Sequence, residues 1–220
     1  MFAATSRYMK DTSIRKSIIG HLLDTANLVT LAGLLSLILA ITFAVREEFA
    51  AAGIGLVAAF VFDGIDGPMA KRLSSRTEAD QAFGANLDSL VDMAGAGATL
   101  AVVLLAYGEF GLAYVPGAFA LMGAAAFRLS YFNVHGLAPG TTRYIGLPTD
   151  QAIIAFAALM LLDRWLDREL FQIVLYGNAM ALVALMVSPL RVPKLIGRPF
   201  YALNTLALSI GALHIMHLVA

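Results

Sequence analysis

Residues 49–72 read FAAAGIGLVAAFVFDGIDGPMAKR, and residues 84–107 read GANLDSLVDMAGAGATLAVVLLAY. Each run is long enough to cross a bilayer, since about 20 apolar residues span the hydrocarbon core. Each also carries two aspartates: Asp63 and Asp66 near the end of the first, Asp88 and Asp92 near the start of the second. On helices, spacings of three and four put each pair on one face, with Cβ atoms about 5–6 Å apart. Two antiparallel neighbours would bring the pairs together. Four carboxylates at close quarters repel one another and are costly to desolvate unless cations neutralise them. Hard divalent ions with oxygen ligands, Mg²⁺, Mn²⁺ or Ca²⁺, meet that need. The bland reading, aspartates solvated at helix ends or capping the later span, explains one such residue better than four. Gly64, Gly67 and Gly84 remove side chains where a nucleotide or a neighbouring helix approaches the backbone.

Outward from these runs, the chain stays apolar. Of its 220 residues 60% are hydrophobic and only 14% charged, with a mean hydropathy of +0.79, too apolar for a soluble domain of this size. There is no cysteine, so a metal must be held by oxygen or by histidine. The formal net charge is zero, which points away from nucleic acid as a partner. Apolar segments lie near 25–45, 49–70, 84–107, 111–134, 146–163, 169–189 and 200–219. The expected fold is therefore an all-α polytopic membrane helix bundle of about seven crossings, within a range of six to eight. Residues 1–20 read as an interfacial amphipathic segment, with Met9, Ile14, Ile18 and Ile19 toward lipid and Arg7, Lys10, Arg15 and Lys16 toward headgroups. Short connections leave no room for a second domain, so 1–220 is one membrane domain.

Charge sets the expected orientation. With the N-terminus cytoplasmic, Arg7, Lys10, Arg15, Lys16, Lys71, Arg72, Arg76, Arg128, Arg143, Arg191, Lys194 and Arg198 fall inside, and only Arg46, Arg164 and Arg168 outside. That split obeys the positive-inside rule. It places the aspartates on the cytoplasmic side of a cell inner membrane or its equivalent. The inner loops near 71–83 and 135–145 are polar, and suit the approach of a water-soluble substrate.

Asp63, Asp66, Gly67, Ala70, Gly84, Asp88 and Asp92 together resemble the signature D-x-x-D-G-x-x-A-R…G-x-x-x-D-x-x-x-D of the CDP-alcohol phosphotransferases. The resemblance is best over the first four spans. Two departures stand out: the signature arginine is Lys71, followed by Arg72, and the stretch from there to Gly84 is about four residues longer than is usual in that family. The resemblance implies transfer of a phosphatidyl group from a CDP-linked donor to an alcohol, with release of CMP. It implies that Asp63, Asp66 and Asp88 bind two divalent ions, Mg²⁺ or Mn²⁺ with Ca²⁺ as an alternative, and that Asp92 completes the site and acts as general base. On the nucleotide and diphosphate side it implies Asn27, Asp63, Gly67, Ala70, Lys71, Arg72 and Gly84. Asn27 has a second reading, as the N-cap of the first span.

Phe127–Arg128–Leu129–Ser130–Tyr131–Phe132–Asn133–Val134 followed by Tyr144–Ile145–Gly146–Leu147–Pro148–Thr149 is similar to the R-L-x-x-F-N…G-L-P segment of membrane phosphatidylserine synthases. Arg128, Asn133 and Arg143 are the expected acceptor-binding residues, and L-serine is the first acceptor implied, with CDP-diacylglycerol as donor. The run Met93–Ala94–Gly95–Ala96–Gly97 after Asp92 departs from the S-F-G-x-x-P type of continuation in those synthases, which keeps inositol phosphate, glycerol phosphate and choline open. A cation transporter using the aspartates as an ion path is the alternative from another class; it fits less well, because the acids sit at one membrane face and no internal repeat pairs the halves. Gly95, Gly97, Gly123 and Ala124 to Ala126 permit close helix contacts, and a homodimer is expected.

Overall fold

Helices that are apolar on every side present no polar stripe to water, and their outer faces are hydrophobic: Leu35, Ile38, Phe119, Phe127, Ile173 and Leu208 are all exposed. The computed structural model describes residues 17–72 and 76–219, with side chains at 17–65 and 76–219. It is an all-α bundle with one short two-stranded ribbon among the described residues.

A short helix α1 (Ile18–Leu22) is capped by Ser17, whose hydroxyl accepts from Gly20 N at 3.1 Å. It leads into α2 (Thr25–Val45), capped by the Asp24 carboxylate on Ala26 N at 3.0 Å. After α3 (Phe49–Arg72), a capping box of Thr77 and Asp80 starts α4 (Glu78–Asp92). The chain continues through a π-helical segment, Met93–Thr99, into α5 (Leu100–Tyr107), so that Glu78–Tyr107 is one long rod. Then follow α6 (Val115–His135), β1 (Arg143–Ile145), α7 (Thr149–Met160), α8 (Arg168–Met186), β2 (Arg191–Pro193) and α9 (Arg198–Val219). Helix α3 packs against α2, α9 and α7, while α6 packs on α5, α8 and the π segment. Leu56, Leu100, Leu104, Leu121, Phe156 and Leu175 form the solvent-free centre.

Five helical stretches among the described residues are long and apolar enough to cross a membrane: Thr25–Val45, Glu78–Tyr107, Leu112–His135, Arg168–Met186 and Arg198–Val219. Among the residues whose side chains are described, α3 contributes the apolar stretch Phe49–Ile65. The expected span at 146–163 is instead α7, of 12 residues, followed by a 3-10 turn, Leu161–Arg164. At a rise of 1.5 Å per residue α7 is about 18 Å long, well short of a hydrocarbon core of about 30 Å. The polar loop expected near 71–83 is also shorter. Helix α4 begins six residues before Gly84 because Thr77 and Asp80 satisfy its first amides reciprocally. The interfacial segment expected over 1–20 lies outside the described residues up to residue 16, and those that follow leave Ile18 and Ile19 exposed.

Gly95, Gly97, Ala124 and Ala125 pack within the chain, while Ala126 is exposed. A Cβ on Gly95 would stand 2.7 Å from Ile153 Cδ1, and one on Gly97 2.9 Å from Met93 Cε. Ala124 and Ala125 are buried. Gly123 has nothing within 4 Å of where its Cβ would be.

Candidate active site

Helix α3 carries Asp63, and α4, one helical turn apart, carries Asp88 and Asp92. One carboxylate oxygen from each lies within 4.8 Å of the others. All three residues are half-buried. Asp66, Gly67, Ala70, Lys71 and Arg72 follow on α3, but their side chains lie outside the described ones.

The start of α7 closes the site from the other side. Thr149, its first residue and itself buried, donates its hydroxyl to Asp92 Oδ2 at 3.0 Å. Asp150, next along, lines one narrow crevice with Asp63, Asp92, Gly33 and Phe60. Arg128 on α6 is buried, and its Nε donates to the Leu147 carbonyl at 3.2 Å. Its guanidinium lies 5.0 Å from the Phe132 ring centre and 5.4 Å from that of Tyr144. Asp63, Asp88, Asp150 and Arg128 are thus charged neighbours of Asp92. Burial, with Asp150 next, pushes the Tyr144 phenol up, so its hydroxyl stays protonated and able to donate.

A folded-back loop holds Leu147 in place. Gly146 adopts φ +77, and a Cβ there would overlap the Met186 carbonyl oxygen. Its amide donates to Leu190 O at 2.8 Å and that of Leu147 to Leu185 O at 3.0 Å. The ribbon continues the tie, with Tyr144 opposite Val192. Asn133 accepts from Ser89 Oγ at 3.2 Å, joining α6 to the residue after Asp88. Arg143 is exposed on β1, as are Arg191 and Lys194 at β2. Of the expected acceptor residues, Arg128 therefore reaches the carboxylate neighbourhood, Asn133 borders α4, and Arg143 points to the surface of the ribbon.

Asn27 and Gly84 are also brought together, around a residue that sequence reasoning missed. Asn27 Nδ2 donates to His21 O at 2.9 Å, and Oδ1 accepts from Arg76 Nη2 at 3.3 Å. A Cβ on Gly84 would stand 2.6 Å from that Nη2. The helix cap is Asp24, so the capping role read for Asn27 is corrected. Thr149, Asp150, Arg76 and Asp80 carry no site role in the sequence reading; Thr149 ends the segment Tyr144–Ile145–Gly146–Leu147–Pro148–Thr149 and Asp150 follows it, which is the available signal.

The carboxylates of Asp63, Asp88 and Asp92 form a hard oxygen donor set, suited to Mg²⁺ or Mn²⁺ rather than to softer ions. Residues 23–190 match the family model described as CDP-alcohol phosphatidyltransferase. This chain belongs to that family. It is a phosphatidyl-transferring enzyme of membranes, and the transporter alternative falls away. Relatives include the CDP-diacylglycerol--serine O-phosphatidyltransferases of two Helicobacter pylori strains. Each is 29% identical over 176 residues, covering 76% of this chain and 71% of the relative. CDP-alcohol phosphatidyltransferases use CDP-diacylglycerol and an alcohol acceptor, and generally depend on divalent metal.

Proposed function

We propose that this enzyme transfers the phosphatidyl group of CDP-diacylglycerol to the hydroxyl of L-serine, with release of CMP, at a divalent-metal site held by Asp63, Asp66, Asp88 and Asp92. The observation that carries this reading is the meeting of Asp63, Asp88 and Asp92 oxygens within 4.8 Å. Serine is favoured by the Helicobacter relatives and by the segments around Arg128 and Gly146. Bound Mg²⁺ or Mn²⁺ would neutralise the donor diphosphate and stabilise CMP as it leaves.

The chain's own residues do the rest. Asp92 accepts the proton of the acceptor hydroxyl as its oxygen bonds to the phosphatidyl phosphorus and the bond to CMP breaks. Thr149 holds one oxygen of Asp92, and so orients the base. Arg128, held beside the Phe132 and Tyr144 rings and bonded to the Leu147 carbonyl, offers a fixed cation to the acceptor carboxylate or to the phosphate. On the nucleotide side we assign Asn27, Gly67, Ala70, Lys71, Arg72 and Gly84, and on the acceptor side Asn133 and Arg143 beside Arg128. The distribution of Lys and Arg supports a cytoplasmic N-terminus and active site.

The test is radiolabelled CDP-diacylglycerol with Mg²⁺ or Mn²⁺ and, in turn, serine, inositol phosphate, glycerol phosphate and choline, following CMP. Serine should give the highest kcat/KM. A higher value with another acceptor would reassign the alcohol, and no metal-dependent CMP from any of them would overturn the reaction.

A further inference from the structure

Over Gly84, one helical turn before Asp88, lies a buried ionic knot. Arg76 Nε stands 2.9 Å from Asp24 Oδ2, with the two side chains 7% and 6% exposed. Its Nη2 donates to Asn27 Oδ1 at 3.3 Å and to the Asp80 carbonyl at 3.2 Å. One planar guanidinium thus joins the cap and first turn of α2 to the first turn of α4, which a lysine's point charge could not do at three places. A buried ion pair is a poor device for stability, because desolvation offsets most of the attraction. Position is the better explanation.

Two further contacts bear on position. The Nη2 fills the space over Gly84, where a Cβ would be 2.6 Å away and also 3.2 Å from Asn27 Oδ1. Gly84, Asp88 and Asp92 follow one another at four-residue spacing, on one face of α4. Beside them, His21 of α1 stacks on Phe83 at 4.3 Å between ring centres, and its Nδ1 lies 3.3 Å from Asp80 Oδ1. The bareness of Gly84 is therefore matched to an arginine of the same chain, and the knot fixes α4 one turn before Asp88.

We propose that Arg76 is a positioning residue of the transfer site: by tying Asp24 and Asn27 to Asp80 over Gly84, it sets where α4 presents Asp88 and Asp92 opposite Asp63. The kinetic part of this proposal rests on the phosphatidyl-transfer reading; the pairing does not.

Three measurements on the full-length protein test it. In a cycle of Asp24→Asn, Arg76→Ala and the double variant, the double should unfold at about the temperature of Arg76→Ala alone, since partners in one network are not additive. Fully additive losses would overturn the pairing. Gly84→Ala should lower kcat/KM by about tenfold or more in the native background, because small displacements in a site are costly. It should cost under about threefold in the Arg76→Ala background, where the space is open. Equal losses in both would mean that the bareness of Gly84 serves the nucleotide alone and owes nothing to Arg76, which would overturn their pairing. Last, Mn²⁺ titrated into protein without substrate should bind about fivefold or more weakly to Arg76→Ala, with Arg76→Lys intermediate, if α4 is displaced. Unchanged Mn²⁺ affinity would overturn the positioning role. If Arg76→Ala does not fold, Asp24→Asn and Arg76→Lys carry the same comparisons. Absence of CMP release by the native enzyme would defeat the reaction assigned above while leaving the unfolding cycle and the Mn²⁺ titration to judge Arg76.

Discussion

Thr149 Oγ1 lies 3.0 Å from Asp92 Oδ2, so the first residue of α7 is fastened to a carboxylate 57 residues earlier in the chain. A hydrogen bond to a charged group is worth about 1.5–3 kcal/mol. Thr149→Val should therefore lower kcat by about 10- to 100-fold, whereas Thr149→Ser should stay near the native rate. Steady-state CMP release distinguishes them; equal rates for native enzyme and Thr149→Val would remove Thr149 from the mechanism.

Asp92→Asn preserves shape and deletes the charge. Turnover should fall by about 10²- to 10⁴-fold, the range for loss of a general base. Mn²⁺ binding should persist through the other aspartates, read by titration without substrate. Native turnover in this variant refutes the assignment of the base.

Chelation gives an independent reading of the carboxylates. EDTA should abolish CMP release, and added Mg²⁺ or Mn²⁺ should restore it. Because an ion that binds only the folded state stabilises it by about 2.7 kcal/mol at a hundredfold excess over Kd, the unfolding temperature should rise on adding metal. An enzyme that turns over fully in EDTA contradicts the metal site.

Arg128 is seated against the rings of Phe132 and Tyr144. Arg128→Lys keeps the charge and loses the planar seat, worth about 0.5–2 kcal/mol. The expected result is an acceptor KM raised by about 2- to 30-fold, with the donor KM unchanged. A shift confined to the donor would place Arg128 on the diphosphate.

Gly146→Ala should destabilise the fold, since φ +77 suits glycine and the added Cβ meets the Met186 carbonyl. Such strain costs on the order of 1–3 kcal/mol. The check is the thermal unfolding midpoint in detergent; an unchanged midpoint would show that the loop relaxes freely.

The carboxylates were legible in the sequence because their spacing is local: Asp63 on one helix, Asp88 and Asp92 one turn apart on the next. Their neighbours were not. Arg76 reaches Asn27 across 49 residues and Arg128 reaches Leu147 across 19, and no helical or strand period links such partners. The lengths of α4 and α7 escaped for opposite reasons. A capping box extended one into a stretch that reads as polar loop, while α7 stops at Met160 although the chain stays apolar through Leu162. The run MAGAGAT gave no warning of a wider helical turn, because small residues carry no pattern of their own.

That wider turn sits directly after Asp92, between the half of the rod that bears the acids and the half, Leu100–Tyr107, that fills the core. A π segment closes its bonds five residues back instead of four, so the two halves of one helix point their side chains by different clocks. The acids can face α3 while Leu100 and Leu104 face the bundle centre, an arrangement a uniform helix would have to achieve with one fixed phase. Grafting the aspartate motif onto an ideal helix would thus copy its spacing and lose its gearing.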